Sequence, residues 1–249
     1  MKFGLITEFW PQFNNLGDHV QSMAIEHLYS LMGVDERDIQ HIGIRDLASY
    51  DGERLLLPWN YAPVCIPVDE GGNIHMSERI TPVFLGFTLS YLDWGRKFVS
   101  VEHFMEACGG REFLMRHSPI GCRDENTRLL LHNRGIPAYL QGCITSIFPM
   151  REPGEYTKVM LADCNAELLP HMPHELLRNA EVINNEVFAG DMPGMEMYRS
   201  VKERYAYFRD NAALMVSGRF HIVTPCYAMG IPSIQYLSSG KSLLISESW

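Results

Sequence analysis

Apolar positions along this chain switch repeatedly between short continuous runs and helical spacing, and that alternation predicts its elements. "KFGLITEF" (2–9) reads as a first strand. A polar loop, "PQFNNLGDH", follows, and apolar residues at 20, 23, 24, 25, 28 and 31 predict a helix through "VQSMAIEHLYSLMG" that stops at Gly33. The stretch 45–80 mixes its signals and predicts short strands and loops. "TPVFLGFTLS" (81–90) has the character of a buried strand, and "FMEACGGREFLMRH" (104–117) that of a helix broken at Gly-Gly. "PIGCRDENTRLLLHNRGIPAYLQGC" then gives a strand, a helix from about Asp124 to Asn133, a stop at Gly135 and a further strand.

The same grammar restarts after residue 150. Strands are expected over 158–164, over 213–218 and in "SIQYL", with helices over 173–180 and 195–211. In "SGRFHIVTPCYAMGIPSI" (217–234) a buried strand hands over to a helix of small residues, with Arg219 and His221 at the junction. Alternating strands and helices joined by short turns imply an α/β chain with mainly parallel sheets. The best linker is "FPMREPGEYT" (148–157), which divides the chain into two Rossmann-like lobes, 1–150 and a shorter 151–249.

Composition narrows the function classes. An apolar share of 46% in 249 residues can fill real cores. The longest apolar stretches fall well short of the roughly 20 residues a bilayer span requires. No secretory signal precedes the first strand, so a cytoplasmic location is expected. A formal charge of −9, with 21 Lys and Arg spread thinly, argues against coating nucleic acid, so any anion must be held by a few local Arg residues. The six Cys form no C-x-x-C pair, which signals neither a zinc site nor a disulfide framework and predicts buried free thiols.

In parallel sheets ligands gather beyond the carboxyl ends of strands, where helix N-termini supply N–H groups and positive dipole. Three motifs fall at such turns. "NNLGDH" (14–19) offers a flexible turn with Asp18 as cap, although an ordinary capped helix would read the same way. In "GCRDENT" (121–127), Asp124 or Asn126 can cap the next helix, while Arg123 either holds an anion or pairs with a neighbouring carboxylate. "SGRFH" (217–221) joins a permanent cation, Arg219, to a group that titrates near neutrality, His221, so the pair can clamp an anion and move a proton. His117, before "SPIGC", is a further site candidate. Cys143 is either a nucleophile or a buried thiol.

Taken in order, "NNLGDHVQSMA", "CRDENTRLLLHNRGI" and "GRFHIVTPCYAMGIPSI" resemble the polysaccharide pyruvyl transferases, with their N-x-G-D helix start, RD-x-x-T followed by a helix and GI, and R-[LF]-H followed by G-x-P-x-I. "DIQHIGIRDL" and "ITPVFLGFTLS" are similar to family segments too, so the likeness covers most of residues 1–236. It implies a glycosyltransferase-B-like arrangement of two Rossmann-like lobes. It also implies transfer of pyruvate from phosphoenolpyruvate, as a ketal, onto two hydroxyls of a glycan or lipid-linked sugar, the chemistry of exopolysaccharide biosynthesis. Arg219, His221 and the backbone of Phe220 would contact the donor, together with Arg123. Asn15, Gly17 and His19 at the first helix start would complete the substrate site. His221 would be the general acid, with Asp18, His19 or His117 as base. No metal and no cofactor beyond the donor substrate is implied, and the acceptor would bring any peripheral contact with a membrane.

Thr88 stands where members of that family carry a His after "ISF". A chain that ends soon after "GIPSIQYLSSG" also predicts less helical cover on the second lobe. Two alternatives therefore stay open: a nucleotide-sugar glycosyltransferase of similar fold, with Asp163 or Glu186 on the ribose, and a catalytically silent carbohydrate-binding relative.

Overall fold

A computed structural model describes residues 1–9, 15–89, 100–164, 166–185 and 194–236. Glu186, residues 10–14, Ser90 at the end of the expected strand and the last residue of "SIQYL" lie outside them. The chain is α/β, with one six-stranded and one four-stranded parallel sheet.

The first sheet contains β1 (Lys2–Glu8), β2 (Ile39–Gly43), β3 (Leu55–Trp59), β4 (Ile80–Phe87), β5 (Ile120–Cys122) and β6 (Ala138–Leu140), in the order β2-β1-β3-β4-β5-β6. Its run of four buried residues in β1, Gly4 to Thr7, is what a strand covered on both faces requires. Helix α1 (Leu16–Leu31) packs back on β1 through Tyr29, whose O–H donates to the Gly4 carbonyl at 2.7 Å. Gly33, at φ 71°, ends the helix in the left-handed region where a Cβ is penalised. The Gly-Gly break is also real: a π-turn (His103–Ala107) ends before Gly109, at φ 76°, and α2 (Gly110–Arg116) begins after it. Helix α3 (Glu125–His132) follows β5.

The second sheet runs β10 (Ser233–Gln235), β9 (Ala212–Ser217), β7 (Lys158–Ala162), β8 (Ala180–Ile183). Around it lie α4 (His174–Arg178), α5 (Gly194–Asn211) and α6 (Phe220–Ala228). Helix α5 buries Met197, Tyr198, Val201, Tyr205 and Phe208, one stripe of a 3.6-residue period, and all but Tyr198 join a core that also holds Met160, Met215, Ile222, Leu16 and Val20.

By their contacts, the described residues of 1–10 and 28–144 form one unit, and those of 11–27 and 145–246 a second. The change thus falls at 144/145 rather than after 150, and the start of α1 groups with the second unit. The expected linker lies inside that unit and is anchored there: Arg151 donates its N–H to the Met229 carbonyl at 3.0 Å, and its guanidinium lies 3.5 Å from the Tyr156 ring centre.

Two strands escaped the hydrophobic pattern. β2 and β8 are short edge strands with polar residues mixed in, and β8 begins inside the stretch read as helix 173–180. There α4 is only five residues long, from the cap Pro173 to the C-cap Asn179, after which the chain turns into β8. Among the described residues, no helix is long and apolar enough to cross a membrane.

Candidate functional site

In each sheet the strand order reverses once. The chain leaves β1 for β2 on one side and returns to β3 on the other; likewise it leaves β7 for β8 and returns to β9. Open parallel sheets place ligands beyond the carboxyl ends of strands at such reversals. In the second sheet those ends are Ala162–Asp163 and Ser217–Arg219.

There β9 hands over to α6 at Arg219, whose extended backbone (φ −98°, ψ 122°) makes it the cap residue, and whose own side chain does not cap the helix. The Arg219 N–H donates to Ser217 Oγ at 3.1 Å, and its Nε lies 2.6 Å from Asp163 Oδ2. That carboxylate is almost buried, whereas the Arg219 side chain is 44% exposed. The pair therefore presents a guanidinium whose inner edge is fixed and whose outer part reaches solvent. Two residues on, His221 packs edge-on against Phe220, and its carbonyl accepts the Tyr205 O–H at 2.6 Å. Burial holds the Tyr205 hydroxyl protonated well above its ordinary range.

The start of α1 meets the same place. A Cβ built on Gly17 would lie 2.7 Å from His221 Nδ1, so the helix backbone approaches the imidazole as only glycine permits. Asn15, not Asp18, is the cap of α1: its Oδ1 accepts the Gly17 N–H at 3.1 Å. Asp18 falls in the first turn, half-buried, and accepts from Gln21 Nε2 at 3.2 Å. His19 points into the core, 2% exposed and beside Tyr198, and burial lowers its pKa to about 4, so its imidazole is neutral at physiological pH. Six of the sequence candidates, Asn15, Gly17, Asp18, Arg219, Phe220 and His221, thus gather where two helices start, with His19 one residue deeper.

The remaining two belong to the first unit. Arg123, after β5, turns its guanidinium onto backbone: Nε donates to the Gly86 carbonyl at 3.2 Å and Nη2 to that of Asn60 at 2.5 Å. Gly86, at φ 87° within a bulge of the β4–β5 pairing, turns that carbonyl toward it. Beside it Asp124 caps α3, its Oδ1 accepting the Thr127 N–H at 2.8 Å and its Oδ2 the Thr88 hydroxyl at 2.6 Å. Thr88 is thereby a buried strut between the end of β4 and α3. His117 sits before β5, at the opposite end of that strand from Arg123. It packs edge-on against Phe113 beside a hollow of about 450 Å³ lined by Ile74, His75, Phe113 and Arg116, and burial with the Arg116 charge lowers its pKa.

All six cysteines are free, and five, including Cys143, are buried. Burial pushes the Cys122 and Cys226 thiols up to about 12. Among the described residues, no three His, Cys, Asp or Glu side chains gather to hold a metal ion. Asp163 entered the sequence reading only as a ribose ligand; its place as the partner of Arg219 had one local signal, an acidic residue directly after the apolar run "VMLA". No protein-family model matches the chain, and no curated protein matches it.

Proposed function

We propose that the chain transfers a pyruvyl group from phosphoenolpyruvate to two hydroxyls of a sugar in a glycan or lipid-linked acceptor, with the donor held at the reversal point of the second sheet. One observation carries this reading. "NNLGD" and "GRFH", some 200 residues apart, meet as two helix N-termini with Gly17 against His221 and with Arg219 fixed beside them. Two helix starts and a guanidinium are what a small ligand bearing a carboxylate and a phosphate requires. The two parallel sheets are also of the kind that the glycosyltransferase-B arrangement uses.

The chemistry asks for one acid and one base. Protonation of C3 turns the enol methylene into a methyl group, C2 accepts a sugar hydroxyl as the C2–O bond to phosphate breaks, and a second hydroxyl closes the ketal. Of the two hydroxyl protons, one balances the proton given to C3 and the other leaves on phosphate. His221 is assigned the acid, because it stands beside Arg219 at the same helix start. Asp18, half-buried one residue from Gly17, is assigned the base; His19 is too deeply buried to receive a proton from an incoming sugar. The Arg219 fork and the Phe220 backbone N–H are assigned to the donor's oxyanions. Arg123 is assigned to the architecture of the first sheet, since its guanidinium already meets two carbonyls.

The test is a thermal-shift series with phosphoenolpyruvate, UDP-sugars and inorganic phosphate, followed by a phosphate-release assay with candidate glycans. A ligand that binds only the folded state raises its stability by mass action. Phosphoenolpyruvate should raise the unfolding temperature more than phosphate does, and the rise should vanish in Arg219→Ala. Stabilisation by a UDP-sugar and not by phosphoenolpyruvate overturns the reading.

A further inference from the structure

Residues just beyond three strands of the second sheet contact Asp163, which itself follows the fourth. It lies directly after β7 with φ 50°, a left-handed conformation in which Asp is one of the few tolerated side chains. From the end of β8, the Asn185 N–H donates to Asp163 Oδ1 at 2.6 Å. From beyond β9, Arg219 Nε meets Oδ2 at 2.6 Å. From the end of β10, the Tyr236 hydroxyl donates to the Asp163 carbonyl at 3.0 Å. Helix α5 braces the β8 side, where Arg204 Nη1 donates to the Asn184 carbonyl and to Asn185 Oδ1, both at 2.6 Å. Each carboxylate oxygen thus has its own assigned neighbour, and both neighbours are held in turn.

We propose that Asp163 is the positioning residue of this site: by its ion pair at Nε it orients the Arg219 guanidinium toward an oxyanion of the donor. A long, flexible cation otherwise samples many rotamers, and an anchored one loses less freedom when it meets a planar or tetrahedral oxyanion. The carboxylate also offsets the Arg219 charge and so weakens the attraction of the turn for anions, which favours correct geometry over tight capture. Such a residue acts on the reacting complex more than on ground-state affinity. The role rests on the donor-site reading above, and its test separates the two.

Two variants remove the carboxylate without opposing the backbone, because Asn tolerates and Gly freely adopts the left-handed conformation: Asp163→Asn and Asp163→Gly. With each, three quantities are measured: the Arg219 Nε–H resonance in the 15N–1H spectrum, the affinity for inorganic phosphate, and kcat with KM for phosphoenolpyruvate. The resonance should shift in both variants, phosphate affinity should hold or rise as a repulsive charge is removed, and kcat should fall about tenfold or more with KM not raised. An unmoved resonance, or kcat and phosphate affinity that fall together with the folded fraction, overturns the positioning role. If the wild-type chain binds phosphate but does not use phosphoenolpyruvate, the pyruvyl reading fails, and the resonance together with phosphate affinity still decides what Asp163 does. If wild type binds neither anion, both fail.

Discussion

Two strand-to-helix turns of this chain, β5 into α3 and β9 into α6, share an Arg within two residues of the helix start and differ in nearly everything around it. At the first, Arg123 turns inward to the Gly86 and Asn60 carbonyls, while Asp124 caps the helix and ties it to Thr88. At the second, Arg219 remains half at the surface, beside a carboxylate, and its own side chain does not cap the helix behind it. The first turn satisfies its own polar groups with protein. The second leaves its guanidinium half at the surface, and that difference, rather than the shared Arg, is why the proposed donor site is placed there.

Exchanging the second Arg sharpens this contrast most. Arg219→Lys keeps the charge and loses the fork, so kcat/KM for phosphoenolpyruvate should fall on the order of a hundredfold or more. Unchanged turnover would erase the distinction between the turns. Arg123→Ala should do the opposite, lowering stability in denaturant titration by about 3 kcal/mol, since two carbonyls lose a charged donor, while the folded protein binds phosphate as before. Weakened phosphate binding in the folded variant would return Arg123 to the donor site.

Acid probes the surroundings of the second turn. His19 has its pKa lowered to about 4 by burial, so between about pH 4 and 6.5 the unfolded chain holds a proton that the folded one does not. Its contribution to stability is therefore whole above pH 6.5 and is lost as pH falls toward 4, by about 3 kcal/mol at most. In His19→Gln the slope of stability over that window should flatten, and an identical slope would contradict the assignment. The smallest expected effect is that of Gly17→Ala. Alanine favours the helix by about 1 kcal/mol, yet its Cβ would meet His221 Nδ1 at 2.7 Å. Turnover should drop about tenfold with the fold kept, and full turnover would sever α1 from the site.

The layered architecture was readable because period and punctuation are local properties. The runs of β1, β4, β7 and β9 and the stops at Gly33, Gly109 and Gly135 each require only their own neighbours. β2 and β8 were missed for the complementary reason: β2 mixes polar residues into its short run, and β8 starts at the last residue of a stretch that carries helical spacing. The cap of α1 was misassigned by three residues, because Asn15 and Asp18 both suit a cap and only hydrogen bonding separates them.

By itself, then, the sequence determined the α/β alternation and the short set of turns where polar groups end apolar strands. Which of those turns is turned outward was decided by the tertiary structure. Arg123 and Arg219 have equivalent local settings, and their difference comes from residues 37 to 63 positions away in one case and 56 in the other: the Gly86 and Asn60 carbonyls, and the Asp163 carboxylate. A guanidinium follows the nearest well-placed acceptors, and only the folded chain sets where those acceptors lie.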